Sequence, residues 1–422
     1  MSMEKQIRVA VIGCGGRGMG AYAPYVNDFD NVSLVAAAEP IAERREEFAR
    51  RYGLRPENCY ETAEEFFSAP REVDVVFICT QDRQHYGHVM AALERGYDIL
   101  LEKPISYRPE HCLEIAKRAA ELGRRIMVCH VLRYTPFYQK VKELITEGTI
   151  GRVMSVHQFE DVGWGHYAHS FVRGLWHNSD ETSPMILAKC CHDLDILLWL
   201  VGADCEKVSS FGKLSNFVAE NAPWDGERCT PECPQYTTCP YCAEKVYHSP
   251  EWKWAQGAVV LHPTEERLQK ALETGPFGRC VYHCDNNVVD HQIVNMQFAG
   301  GVTASLTMCA FTQEMTRELK VMGTLGEING DMEKNRIVVR RFGDEPETID
   351  VTKLATDLSG HGGGENRMLR DLFALVRGDT ETCALTSVEQ SVQSHIMAFA
   401  SERSRVEGGR VVPLEEIYAE HR

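Results

Sequence analysis

The chain has 422 residues, a length that accommodates two domains of usual size. Lys and Arg total 45 against 61 Asp and Glu, a net charge of −16, and so acidic a surface repels phosphate backbones, which argues against nucleic acid as a partner. The longest apolar runs, such as Val73–Cys79 and Ile196–Val201, are too short to span a bilayer, so no membrane partner is expected either.

The first predicted strand is Ile7–Ile12 (IRVAVI). It starts so early that no signal peptide is expected before it; the expected location is the cytoplasm, with the 16 cysteines as reduced thiols or metal ligands. Gly13, Gly15 and Gly18 follow in the spacing G-x-G-x-x-G, ahead of a predicted helix, Met19–Asn27. A second strand, Val32–Ala38, runs into Glu39, 21 residues after Gly18. This is the layout of a dinucleotide fold. Gly13 permits the turn, Gly15 lets the backbone approach a pyrophosphate, and Gly18 lets the helix pack on the strand with its amides toward the anion. Gly13, Gly15, Gly16, Arg17, Gly18 and Glu39 are therefore cofactor-binding candidates. Glu39 accepts hydrogen bonds from a free ribose 2′-hydroxyl and repels a 2′-phosphate, so the expected cofactor is NAD.

A charged helix, Ala42–Tyr52, comes next, then the apolar strand Val73–Cys79 and a helix over Gln84–Arg95. Strand Asp98–Leu101 leads into Glu102-Lys103-Pro104, followed by helix Pro109–Leu122 and strand Arg125–His130. The alternation predicts an α/β fold whose residues 1–130 form a doubly wound parallel sheet. From 131 to 422 the texture changes. Helices are expected at Thr135–Glu147 and Met185–Leu200. Strand patterns follow at Gln292–Phe298, Val302–Cys309, Glu318–Gly323, Gly326–Gly330 and Arg336–Arg341, an antiparallel or mixed sheet. Helices Glu365–Arg377 and Ser387–Glu407 close the chain.

Three segments within this second part carry side chains of chemical interest. Trp164–Trp176 (WGHYAHSFVRGLW) offers rings to a pyranose and polar groups to its hydroxyls, so His166, His169, Arg173 and Trp176 are candidate substrate contacts. The same composition suits an aromatic packing surface. His361-Gly362-Gly363-Gly364 precedes a helix and either closes over a site or simply leads into that helix. At about 221–285 lies a Cys-, Pro- and Trp-rich insertion. Its Cys229, Cys233, Cys239 and Cys242 fall within 14 residues, which points to structural zinc, with an iron–sulfur cluster as runner-up. Cys280 and Cys284 become alternative ligands if the insertion folds back.

The fingerprint GCGGRG, Glu102-Lys103-Pro104, Leu132-Arg133-Tyr134 before a Pro-containing helix, and His192 with Asp195 occur in that order. Together they resemble the Gfo/Idh/MocA oxidoreductases. The resemblance covers most of the chain apart from the insertion. It implies a Rossmann domain, a C-terminal α/β domain with an open sheet, homo-oligomers (dimer or tetramer) built through that sheet, and sugar or polyol substrates. It assigns Lys103 to nicotinamide ribose and substrate hydroxyl, and His192 to proton transfer, with a cis Lys103–Pro104 bond expected to direct the lysine. Thr80 and Glu102 join the cofactor set, and Arg133 and Asp195 the substrate set. His85, which opens a helix, is read as structural. Many members carry D-x-G-x-H before this histidine; here Ala188 and Cys190 stand in the D and G positions. Lys189 is the replacement candidate, either lowering the histidine's pKa by repulsion or binding substrate oxygen.

Three functions follow. The first is NAD-dependent oxidation of a secondary hydroxyl on a sugar or cyclic polyol. The second makes that oxidation transient, with elimination, addition and re-reduction, and needs an extra base drawn from His166, Tyr167, His169 or Lys189. The third is a non-catalytic NAD-sensing regulator.

Overall fold

The computed structural model describes residues 6–382 and 384–421. Its first sheet contains β1 (Ile7–Ile12), β2 (Val32–Ala38), β3 (Cys59–Tyr60), β4 (Val75–Ile78), β5 (Asp98–Leu101) and β6 (Ile126–Val128). Their order is β3-β2-β1-β4-β5-β6, and every neighbouring pair is parallel. β4 and β5 are buried at every position, as strands covered on both faces must be. The strand order reverses between β1 and β4, so the crevice for a ligand opens at the carboxyl ends of these two strands.

The second sheet contains β7 (Val153–Asp161), β8 (Cys205–Lys213), β9 (His291–Phe298), β10 (Thr303–Cys309), β11 (Thr316–Gly323), β12 (Gly326–Asp331), β13 (Arg336–Arg341), β14 (Glu347–Asp350) and β15 (Val412–Pro413). The order is β14-β13-β12-β11-β7-β10-β9-β8-β15. β7 and β10 pair in parallel and the other neighbours run antiparallel, so the sheet is mixed. One face packs on helix Cys191–Val201, and on the other face Phe159, Thr307, Ile293 and Phe211 lie side by side across four strands.

Two predicted helices need correction. The turn after the fingerprint is helical from Gly16, three residues earlier than expected, and is wide-wound up to Tyr22 before α-helix Ala23–Val26. Met185–Leu200 is two helices, Met185–Ala188 and Cys191–Val201, with a break at Lys189 and Cys190. The break leaves His192 in the first turn of the second helix.

The two sheets share elements. Helix Gly364–Arg377 returns to the first sheet, where Met368, Leu369, Leu372 and Phe373 pack with Val9, Val11, Phe77 and Leu100. The insertion holds helices Ala243–His248, Lys253–Val259 and Glu265–Thr274 around a small core of Val246, Tyr247, Ala255, Leu268 and Leu272. Among the described residues no helix is long and apolar enough to cross a membrane.

Candidate active site

The glycines of the fingerprint are fixed by close approach. Gly13 has φ of +92°, and a Cβ there would lie 2.6 Å from the Cys79 carbonyl oxygen. A Cβ on Gly18 would lie 2.2 Å from the Gly13 carbonyl oxygen. Gly15 and Gly16 meet nothing within 4 Å, which leaves their backbone open to a ligand. At the end of β2 the buried Glu39 carboxylate accepts from the Cys14 amide at 2.8 Å, so it stands beside the turn as the fold requires. These residues fit a dinucleotide: a tight turn, an open backbone, and an acid at the ribose position. Gly18→Ala should force the turn apart and weaken NAD binding by about tenfold or more, roughly 1.4 kcal/mol, in a fluorescence titration. Wild-type affinity in that variant would refute the role of the close contact.

Arg17 also has contacts of its own within the protein. Its guanidinium pairs with Glu102 at 2.7 Å and Glu365 at 3.4 Å, and donates to Tyr22 Oη at 2.6 Å. Tyr22 Oη also donates to Glu102. Burial pushes the Glu102 carboxyl up, yet Arg17 and Lys103 outweigh it and hold the group down at about 2. Glu102 is thus a fixed anion that clamps the fingerprint to the end of β5.

Lys103 follows β5 at the crevice, and the Lys103–Pro104 bond is cis. Its Nζ donates to the Ala188 carbonyl at 2.8 Å. His85 bridges the carbonyls of Pro104, at 2.7 Å, and Thr80, at 3.0 Å, a structural role. Thr80 Oγ1 is 3.1 Å from His88 Nδ1. His192 is buried, and its Nδ1 has no hydrogen-bond partner. Burial first, then Lys103, His130 and Arg317, holds its pKa well below the usual histidine range. It is a neutral imidazole with an orphaned nitrogen, the state a base requires.

Lys189 is not the cation that acts on His192. Its Nζ pairs with Glu160 at 3.2 Å. Glu160 lies opposite Arg317 on the neighbouring strand and pairs with it at 2.6 Å, while Arg317 reaches Asp193 at 2.9 Å. Glu160, Asp193, Arg317 and Lys189 thus form a buried charge cluster at the start of the helix that carries His192, although position 188 is alanine. Sequence reasoning missed the two carboxylates because Glu160 arrives from a strand and Asp193 was hidden in an apolar helix.

Several expected substrate contacts are directed elsewhere. Arg133 and Asp195 form a buried two-pronged pair, both bonds 2.7 Å, which binds their polar atoms to one another. The aromatic segment packs on the insertion: a Cβ on Gly165 would collide with Trp252. His169 Nδ1 is 2.9 Å from Tyr247 Oη and its ring stacks on Phe277. Tyr167 Oη donates to the Val288 and Val289 carbonyls. His166 Nδ1 is 3.3 Å from the Val162 carbonyl, and Trp176 packs against Phe171.

The four cysteines are corrected too. The insertion does fold back, since Arg228 and Arg279 form an isolated bridge that sets Cys229 near Cys280. Yet among the described residues no three Cys, His, Asp or Glu side chains are placed to share one ion. A closed centre through Cys229, Cys233, Cys239 and Cys242, whether zinc or iron–sulfur, is not supported. Cys229, Cys280 and Cys284 instead lie round the buried Arg173, whose Nη2 donates to Cys229 Sγ at 3.5 Å and to the Tyr241 carbonyl at 2.7 Å. The Cys242 thiol donating to Cys229, with Arg173 beside it, favours the Cys229 thiolate. Arg173 therefore ties this cluster to the aromatic segment.

Comparison with known proteins decides the family. Residues 7–130 match the model described as "Oxidoreductase family, NAD-binding Rossmann fold", and residues 142–414 match that family's C-terminal alpha/beta domain. The chain belongs to the Gfo/Idh/MocA oxidoreductase family. Within it, the chain is similar to scyllo-inositol 2-dehydrogenase (NAD(+)) of Bacillus subtilis (strain 168), 28% identical over 51% of this chain and 59% of the relative. It is also similar to 2,7-anhydro-N-acetylneuraminate hydratase of Escherichia coli (strain K12), 28% identical over 49% of this chain and 52% of the relative. The matches thus span little more than half of each of these relatives. An inositol dehydrogenase homolog from Azotobacter vinelandii, solved with NADH and myo-inositol, shares the fold with a TM-score of 0.68 at 15% identity, covering 97% of this chain and 98% of that one.

Proposed function

We propose that this Gfo/Idh/MocA protein is an NAD-dependent oxidoreductase acting on a secondary hydroxyl of a sugar, sugar derivative or cyclic polyol. The observation that carries this reading is the pairing of Lys103 with a neutral His192 at the carboxyl edge of the first sheet, beside the fingerprint. Bound nicotinamide supplies the hydride acceptor. Lys103 steadies the oxygen as its charge develops, and His192 takes the hydroxyl proton. Glu39 favours NAD over its 2′-phosphorylated form. Mixing purified protein with inositols and alkyl glucosides should generate absorbance at 340 nm with NAD and far less with NADP. No reduction with any compound, or a preference for NADP, overturns the respective half of the reading.

One observation favours a redox-neutral version. A relative of similar identity is named a hydratase, not a dehydrogenase. In that version NAD co-purifies and turnover proceeds without added cofactor. The family site also suits a cytoplasmic homo-oligomer packed through the second sheet. The half-exposed apolar row of Phe159, Ile293 and Phe211 supports that surface.

A further inference from the structure

The run Gly360-His361-Gly362-Gly363-Gly364 carries a single side chain larger than hydrogen. Its backbone is tightly seated. Gly360, Gly362 and Gly363 have φ of +58°, +64° and +76°. A Cβ on Gly363 would lie 2.2 Å from the Asp357 carbonyl oxygen, and one on Gly364 2.4 Å from that of Val131. Glycine here permits a shape that side chains would forbid. The shape delivers one imidazole.

That imidazole is held on one side only. His361 Nδ1 lies 2.6 Å from Glu365 Oε1, and the His361 amide points at the same carboxylate. Glu365 is buried and also faces Arg17 at 3.4 Å. The carboxylate fixes the tautomer with the proton on Nδ1, which leaves the Nε2 lone pair as the working base. Among the described residues no hydrogen bond reaches Nε2, and the side chain keeps 40% of its surface accessible. The ring centre is 6.1 Å from that of His192, and Arg17 of the fingerprint lies 3.4 Å from Nδ1. A carboxylate-aligned histidine with an open nitrogen thus stands within reach of His192 and of the fingerprint arginine.

We propose that His361, aligned by Glu365, is a second acid–base group of this site, acting on the carbon next to the one oxidised. This rests on the oxidoreductase reading above and extends it. Oxidation of the carbinol needs one base, which His192 provides. The new ketone acidifies the neighbouring C–H. His361 Nε2 takes that proton, the C–H electron pair becomes a C=C bond, and the C–O bond one carbon further breaks with its electron pair leaving on oxygen. Water adds back across the double bond: its hydroxide bonds the carbon that lost the C–O bond, its proton goes to the departed oxygen, and His361 returns the first proton to the neighbouring carbon. Reversal of the first step restores the carbinol, so the sum is exchange or hydrolysis of the leaving group without net redox. The four bases considered from sequence are all engaged in other contacts: Lys189 with Glu160, His169 with Tyr247, Tyr167 with the Val288 and Val289 carbonyls, and His166 with the Val162 carbonyl.

The test uses holoenzyme with alkyl glucosides in deuterated water. For any compound that gives a 340 nm burst, wild type should wash deuterium into the adjacent carbon, read by mass spectrometry. His361→Gln should lower the ratio of wash-in to burst by about 100-fold or more, and Glu365→Gln should lower it less. An unchanged ratio in His361→Gln, or no wash-in by wild type, overturns the proposal while leaving the oxidoreductase reading intact. If no compound gives a burst, the oxidoreductase reading fails, and a second measurement judges His361 by itself. Diethyl pyrocarbonate should modify His361 readily, more slowly in Glu365→Gln, and about tenfold more slowly with NAD bound, by peptide mass mapping. An unreactive or NAD-insensitive His361 overturns the proposal.

Discussion

Lys103→Ala is expected to lower the rate of hydroxyl oxidation by about a thousandfold, roughly 4 kcal/mol of transition-state stabilisation. Lys103 follows β5 into the crevice, and its ammonium rests on the Ala188 carbonyl, one turn from His192. The substitution removes the positive group that meets the developing alkoxide. It also removes a cation that helps keep His192 neutral. NAD affinity should change by no more than a few fold, because Gly13, Gly18 and Glu39 shape the turn without it. Single-turnover absorbance at 340 nm beside an NAD titration makes the comparison. A rate within tenfold of wild type would remove Lys103 from the chemistry. A matching loss of NAD affinity would make it a cofactor-binding residue only.

Arg133→Ala should cost about 3–5 kcal/mol of folding stability, because it strands a buried carboxylate. Arg133 and Asp195 are only 4% and 1% exposed, so solvent cannot replace either partner. Arg133 also donates to the Leu385 carbonyl at 2.7 Å, which ties three distant stretches of chain together. The pH dependence has a definite sign. Burial already raises the Asp195 carboxyl above its ordinary value, against the pull of Arg133. Without the guanidinium it rises further. The folded variant then binds a proton that the unfolded chain, with its carboxyl near 3.9, releases. The variant should therefore lose stability as pH rises through that window and regain part of it toward pH 5. Urea unfolding at two pH values measures this. Arg133→Met with Asp195→Leu should recover most of the loss, since an apolar pair replaces the stranded charge. A loss below 1 kcal/mol in the single variant would mean that the pair is not closed in solution.

The first sheet was legible because its strands are covered on both faces. Val73–Cys79 reads as an apolar run interrupted only by Asp74, and β4 falls inside its unbroken part. Strands β9 to β13 were legible from alternation between turns. β7 was not singled out as a strand, and its inner face gives the reason: Gln158 and Glu160 are buried, so polarity does not track exposure along it. Polar residues at core positions defeat a hydrophobic pattern. The break in Met185–Leu200 was hidden for the opposite reason, because no glycine or proline marks Lys189 and Cys190 within an apolar stretch. Lys103 and His192 were visible as local motifs. The His361–Glu365 pair sits one helical turn apart and was readable as i, i+4, but its meeting with Arg17, 344 residues away, belongs to tertiary structure. Ring-rich composition serves sugar binding and aromatic packing equally well, and in Trp164–Trp176 the packing contacts are the ones the fold shows.

Helix Gly364–Arg377 completes the cover over Val9, Val11 and Phe77, though more than two hundred residues of other structure precede it in the chain. A ribosome therefore finishes the six parallel strands long before it supplies their last apolar lid. Until residue 373 has emerged, the nascent nucleotide half carries an uncovered greasy seat, the kind of surface that chaperones hold. Completion of that half is a late event of translation, and it arrives together with Glu365, the second carboxylate for Arg17.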